Sequence, residues 1–221
     1  MTRVKMCGMR RLEDIAAANS LMPEYIGFVF APASRRYVSP EEAAALKQAL
    51  IPGVRAVGVF VNEQFETAAR LLAEGIIDIA QLHGSEDEEY ISRLRAVSGK
   101  PVIRAFRVKG EADLRAAEAS AADMILLDAG AGDGKTFDWS LLSSVSRPYF
   151  LAGGLTPDNV GEAIRILAPW GVDVSSGVET DGRKDPAKME AFVAAVRCAD
   201  QKESNSPKAV GSDHTKSPVE I

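Results

Sequence analysis

Short apolar runs rich in Val, Ile and Phe alternate along the chain with longer stretches whose apolar positions recur at helical spacing, a unit that repeats roughly every 25 residues. That alternation predicts parallel strands joined by crossover helices. Strands are expected near 3–8, 24–31, 54–61, 77–83, 101–106, 123–128, 148–152 and 171–175. Helices are expected between them over 12–19, 40–50, 65–74, 87–97, 111–121, a short stretch after Trp139, 157–167 and 186–198. Two helix starts carry explicit signals, Ser39-Pro40-Glu41-Glu42 and Thr156-Pro157-Asp158, where a hydroxyl can cap and proline can take the first helical position. About eight strands is the number that closes a (β/α)8 TIM barrel. An open doubly wound sheet shares the local pattern, but no Gly-rich dinucleotide turn follows the first strand.

The 221 residues fit one barrel domain over 1–199, and the balance of 46% hydrophobic and 26% charged residues is that of an ordinary globular chain. From Asp200 the composition turns to Gln201-Lys202-Glu203-Ser204-Asn205-Ser206-Pro207 and further polar residues, so 200–221 is expected to be a disordered tail and His214 within it to have no function. A formal charge of -5 provides no basic field for a nucleic acid or an anionic membrane, so an anionic ligand must be caught locally. The two cysteines, Cys7 and Cys198, have neither framework nor metal spacing, which favours reduced thiols. With no signal peptide and no apolar run of membrane-spanning length, a cytoplasmic location is the expectation. The pattern shows no long exposed apolar face, which favours a monomer over a homodimer.

In a barrel of this type, chemistry belongs at the C-terminal ends of the strands. The residues placed there are Cys7, the loop Ser34-Arg35-Arg36-Tyr37, Asn62, Gln81 to His83, Arg104, Asp128, Gly153-Gly154 and Ser175-Ser176-Gly177. Cys7 and Asp128 can exchange protons. Gly153, Gly154, Ser176 and Gly177 lack bulky side chains, so backbone N–H groups after strands seven and eight can approach a phosphate. Either cluster alone also reads as a tight turn, and the pair at consecutive strand ends favours phosphate. Ala129-Gly130-Ala131-Gly132-Asp133-Gly134-Lys135-Thr136 nearly matches a nucleotide-binding P-loop, yet it lacks the first glycine and leads only into a short helix. A lid over the mouth, with Lys135 near the substrate, accounts for it better.

Nine segments taken together carry a resemblance. Lys5-Met6-Cys7-Gly8, Gly27-Phe28-Val29-Phe30, Ser34 to Pro40, Val57 to Asn62, Gln81-Leu82-His83-Gly84, Leu127-Asp128, Gly134 to Trp139, Ala152 to Leu155 and Asp173 to Glu179 resemble, in order, the phosphoribosylanthranilate isomerase family of tryptophan biosynthesis. The resemblance implies an Amadori rearrangement of N-(5-phosphoribosyl)anthranilate to the aminoketose phosphate, with Asp128 as general acid and Cys7 as general base. It selects Arg36 over Arg35 for the anthranilate carboxylate, which a guanidinium can hold through two parallel hydrogen bonds. It also implies no cofactor, and no group of His, Cys and carboxylates has metal-ligand spacing.

Such chemistry needs an aspartate that stays protonated and a thiol that ionises readily, shifts opposite to one another. Lys5 alternates with Cys7 along the first strand and could supply positive potential to the thiol. The bland reading of Cys7 is a small buried hydrophobe, and that of Asp128 a cap or loop carboxylate. His83 could bond substrate or satisfy a strand-end backbone group, and Asp173 is expected to face the mouth near the phosphate loop and support the site. Phe137 and Trp139 are expected in packing. Other phosphate barrels remain as alternatives. The histidine-pathway isomerase runs the same rearrangement but has an aspartate where Cys7 stands, and indole-glycerol-phosphate synthase relies on strand-end lysines in another pattern. A non-catalytic phosphate-binding barrel is the third reading.

Overall fold

The computed structural model describes residues 1–129 and 139–205. Eight parallel strands close into a barrel in sequential order, β1 (Arg3–Cys7), β2 (Tyr25–Val29), β3 (Arg55–Phe60), β4 (Ile79–Leu82), β5 (Val102–Arg107), β6 (Met124–Asp128), β7 (Tyr149–Ala152) and β8 (Gly171–Val174). Closure is made by β1 against β8, with Lys5 in register with Asp173. Outside run α1 (Leu12–Leu21), α2 (Pro40–Gln48), α3 (Phe65–Ala73), α4 (Glu88–Ser98), α5 (Glu111–Ala119), a 3-10 helix (Trp139–Ser144) where a sixth barrel helix would stand, α6 (Val160–Leu167) and α7 (Pro186–Asn205).

Alternation along the strands sorts side chains into two layers. Val4 and Met6 of β1, Ile125 and Leu127 of β6 and Val172 and Val174 of β8 join the large core between strands and helices. Tyr25, Ile79, Met124, Leu126 and Phe150 fill the barrel interior, where Phe150 meets Tyr25 and Trp170 edge-on at its lower end. Continuing each inward register toward the C-terminal end brings Lys5 and Cys7 from β1, Gln81 and His83 from β4, Asp128 from β6 and Asp173 from β8 to one mouth.

The expected start of α2 is present: Ser39 Oγ accepts from Glu42 N, and Glu42 returns a bond to Ser39 N. The second expected start is not. Thr156-Pro157-Asp158 forms a turn closed by Asn159 Oδ1, which accepts from Thr156 N, and α6 begins only at Val160. The last helix runs past its expected end at 198 to Asn205, because Asp200 is tied to the barrel: its carboxylate accepts from the backbone N–H and the hydroxyl of Thr2. Polar composition was outweighed there by a specific anchor. Residues 206–221, with His214, and the expected lid from Gly130 through Lys135 to Phe137 lie outside the described residues, while Trp139 packs partly buried against the core. Among the described residues no helix is long and apolar enough to cross a membrane.

After β8 a three-residue 3-10 helix (Ser176–Val178) leads into a small hairpin, β9 (Glu179–Thr180) and β10 (Arg183–Lys184). Its turn, Asp181-Gly182, has both residues at positive φ, 50° and 73°, the requirement of a type I′ turn. The sequence reading missed this hairpin, although Asp-Gly was its legible signal.

Candidate active site

Cys7 ends β1 with its side chain among Val29 and Val59 at the barrel mouth, and its carbonyl accepts from Ser175 Oγ at 3.0 Å. The chain leaves β1 through Gly8 and Met9, whose N–H groups both donate to Gly27 O. Gly27 has to be glycine: a Cβ there would lie 2.7 Å from Cys7 Sγ. Beneath the thiol Lys5 is fully buried and bonds Asp173 Oδ1 at 2.8 Å. Asp173 thus holds this lysine at the barrel seam.

Burial pushes the Cys7 thiol up, Lys5 and Lys184 pull it down, Asp173 pushes it up, and the outcome lies above the ordinary thiol value. The expected lowering by Lys5 is therefore present but outweighed, because Asp173 neutralises much of the field of the ammonium and the low-dielectric surroundings disfavour a thiolate. Lys5 itself loses stability as a cation through burial, and Asp173 and Cys7 more than restore it, so its value is raised.

Asp128 ends β6, three strands from Cys7 around the barrel by way of β8 and β7. Its Oδ2 lies 3.6 Å from His83 Nε2, and His83 Nδ1 lies 3.4 Å from Gln81 Nε2. The other amide atom of Gln81, Oε1, is buried without a hydrogen-bond partner among the described residues. His83 therefore faces the aspartate as a side chain, while its backbone N–H is satisfied by Phe60 O. Glu86, on the loop after β4, accepts from Asn62 N, Gly84 N and Arg104 Nη1, which ties the loops after β3 and β4 to strand β5. Arg104 and Asn62 belong to that framework.

Arg36 lies on the loop after β2, which folds back so that Val38 N donates to Val29 O and Arg36 N donates to Ser34 Oγ. The guanidinium grips Glu179, Nε to Oε1 at 2.7 Å and Nη2 to Oε2 at 2.9 Å. Arg35 reaches the same carboxylate at 3.2 Å from a mostly exposed position. Lys184, almost wholly buried, donates to Glu179 Oε1 and to Ser175 O. Burial pushes the Glu179 carboxyl up, but the hydrogen bonds and charges of Arg36 and Lys184 hold it at about 2. Neither Glu179 nor Lys184 stood out in the sequence as a site residue, because the hairpin that carries them was not recognised.

The Gly153-Gly154 and Ser176-Gly177 loops come together at one side of the mouth. Gly153 and Gly154 have φ of 98° and 66°, and the space over Gly154 is open. A Cβ on Gly177 would lie 1.8 Å from Leu155 O, so the two loops can pack this closely only with glycine there. Small residues thus shape one cup from two loops, as an anion site requires. Among the described residues no group of three or more His, Cys, Asp or Glu is arranged to hold a metal ion.

A closed (β/α)8 barrel with a thiol, a carboxylate and a guanidinium at one mouth and a glycine-lined cup beside them has the inventory expected of an acid–base enzyme for a small phosphorylated anion. The comparisons with known proteins refine that class. The family model described as N-(5'phosphoribosyl)anthranilate (PRA) isomerase matches residues 4–195. An N-(5'-phosphoribosyl)anthranilate isomerase of Acetivibrio thermocellus is 44% identical over 90% of this chain and 98% of its own length. Two solved forms of the Thermotoga maritima phosphoribosyl anthranilate isomerase superpose with TM-scores of 0.83 and 0.79 at 39% and 37% identity. They cover 90% and 89% of this chain and 100% and 99% of their own, and the second is of monomers generated from a dimeric enzyme. A further structure, with TM-score 0.81 and 39% identity over 90% of this chain and 100% of its own, is of the isomerase in complex with reduced 1-(o-carboxyphenylamino)-1-deoxyribulose 5-phosphate. The chain belongs to the phosphoribosylanthranilate isomerase family, whose reaction is an isomerisation in tryptophan biosynthesis.

Proposed function

We propose that this barrel isomerises N-(5'-phosphoribosyl)anthranilate by general acid–base catalysis with Asp128 as acid and Cys7 as base. The observation that carries the assignment is the shared inward register of Cys7, His83 and Asp128 at one mouth, with Arg36 on one side and the double glycine cup on the other. The substrate phosphate sits in the cup formed by Gly153, Gly154, Ser176 and Gly177, and Arg36 takes the anthranilate carboxylate. Protonation of the furanose ring oxygen by Asp128 opens the ring to an iminium at C1. Cys7 then removes the proton on C2, and the enolamine so formed takes a proton at C1 and loses the C2 hydroxyl proton to become the aminoketose. His83, with Nε2 3.6 Å from Asp128 Oδ2, lines the mouth beside the acid and contacts the substrate.

The positive charge of the iminium offsets the burial that keeps the Cys7 thiol protonated, so the base is strengthened when the intermediate forms. No step needs a metal or cofactor. The domain spans 1–199 with α7 continuing to Asn205, and it works in the cytoplasm as a monomer. The test follows the fluorescence of freshly made phosphoribosylanthranilate. Wild-type protein consumes it, while Cys7→Ser and Asp128→Asn lose about 10²- to 10⁴-fold in kcat. A wild-type protein without turnover overturns the substrate assignment, and full activity in either variant overturns the assignment of roles.

A further inference from the structure

Glu179 takes no part in the acid–base scheme, yet four N–H groups converge on it. Its carboxylate is 5% exposed and accepts from Arg36 Nε at 2.7 Å, Arg36 Nη2 at 2.9 Å, Lys184 Nζ at 2.9 Å and Arg35 Nη2 at 3.2 Å. A buried carboxylate that binds a guanidinium through two parallel bonds fixes the plane of that guanidinium as well as its position.

The orientation has a consequence for the ligand. A guanidinium has five N–H donors, and Glu179 takes the Nε–H and one Nη2–H. The edge formed by Nη1 and the second Nη2–H is a further parallel pair, suited to another carboxylate. A third constraint comes from β1, because a Cβ on Gly8 would lie 2.4 Å from Arg36 Cδ. The arginine stem is thus laid flat over the backbone of the residue that follows Cys7. Held by Glu179 on one edge and Gly8 underneath, Arg36 has little rotamer freedom left. The surrounding cations, Arg36 and Lys184 with Arg35 at the rim, outnumber the single carboxylate, so a second anion is still attracted.

We propose that Glu179 is a positioning residue that sets selectivity for a substrate bearing an aromatic carboxylate, by holding Arg36 so that its Nη1–Nη2 edge faces the mouth. This rests on the assignment of Arg36 to the substrate carboxylate. Lys184 completes the device from the same hairpin by neutralising the remaining charge of Glu179 and tying it to Ser175 O.

The test compares N-phosphoribosylanthranilate with N-phosphoribosylaniline, which lacks the carboxylate, in wild type, Glu179→Gln, Glu179→Asp and Arg36→Met. Glu179→Gln is expected to raise KM for the carboxylated substrate about tenfold with kcat within about threefold, and to change kcat/KM for the aniline compound less than about twofold. Glu179→Asp recovers part of the loss. In the Arg36→Met background, Glu179→Gln causes no further change in the ratio of the two kcat/KM values. Because that ratio is independent of the amount of folded enzyme, partial misfolding does not obscure it. Equal losses on both substrates, or no loss on either, overturn the proposal. A wild-type protein that turns over the anthranilate compound no faster than the aniline compound overturns instead the assignment of Arg36 on which the proposal rests.

Discussion

Cys7 is packed closely by Gly27, Val29 and Val59. With Gly27 beside the thiol on the neighbouring strand, Gly27→Ala has to displace Sγ or spread β1 from β2. A misplacement of this size at a reacting group costs about 10²-fold. Gly27→Ala is therefore expected to lower kcat by about that factor with KM for the phosphorylated substrate nearly unchanged, measured by steady-state kinetics. A KM effect of equal size would place the damage in binding instead. The raised thiol value makes a second prediction: in a Cys198→Ser background, iodoacetamide alkylation of Cys7 should accelerate with a midpoint above the ordinary thiol pKa of about 8.5. Alkylation that levels off below pH 8 would contradict the burial argument. At this scale the sequence was readable for position, as for Cys7 and Asp128 at strand ends and Lys5 two residues before Cys7 on the same face of β1. It was not readable where the role depends on a partner distant in sequence. Nothing adjacent to Arg36 reveals that Glu179 grips it, and nothing near Lys5 reveals that Asp173 cancels much of its field.

Elements were legible in proportion to their length. All eight barrel strands show an apolar run of several residues, whereas β9 and β10 have two residues each, too few for alternation to register. The start of α6 was misplaced because a Thr-Pro pair marks a turn as readily as a helix cap, and only the bond from Thr156 N to Asn159 Oδ1 decides between them. The hairpin's weight in the fold can be measured through Glu179. Its carboxyl is depressed to about 2 in the folded chain against an ordinary value near 4.3, so the folded state binds fewer protons between those values than the unfolded state. Its contribution to stability is therefore present above the unfolded pKa and is lost as pH falls toward about 2. Melting temperatures of wild type and Glu179→Gln should differ most above pH 5 and converge toward pH 2. A gap that stays constant over that range would mean that the carboxylate charge is irrelevant to the fold.

For the whole molecule, the question is how the two chain ends complete the barrel. β1 is the first element and β8 the last barrel strand, and their pairing makes the closing seam. α7 secures that seam from outside: Arg197 Nη1 donates to Thr2 O, Arg197 Nη2 pairs with Glu24, and Asp200 accepts from Thr2 N and Oγ1. Glu24 in turn accepts from Val4 N, so the anchor extends into β1 itself. These bonds explain why helix persists through residues whose composition suggested a tail, and they predict where the chain can be shortened. Ending it after Asn205 keeps every one of these contacts, and melting temperature and turnover should match the full chain. Ending it after Cys198 removes Asp200 and leaves the buried Thr2 N–H without its acceptor, at a cost of about 1–3 kcal/mol. For a domain of this size that corresponds to a fall of roughly 2–12 °C in melting temperature. Because the seam sits beside Lys5 and Asp173, the shorter truncation should also lower kcat, while Asp200→Ala in the full chain should reproduce most of both effects. If the two truncations melted together, α7 beyond Cys198 would be an appendage and barrel closure would rest on strand pairing alone.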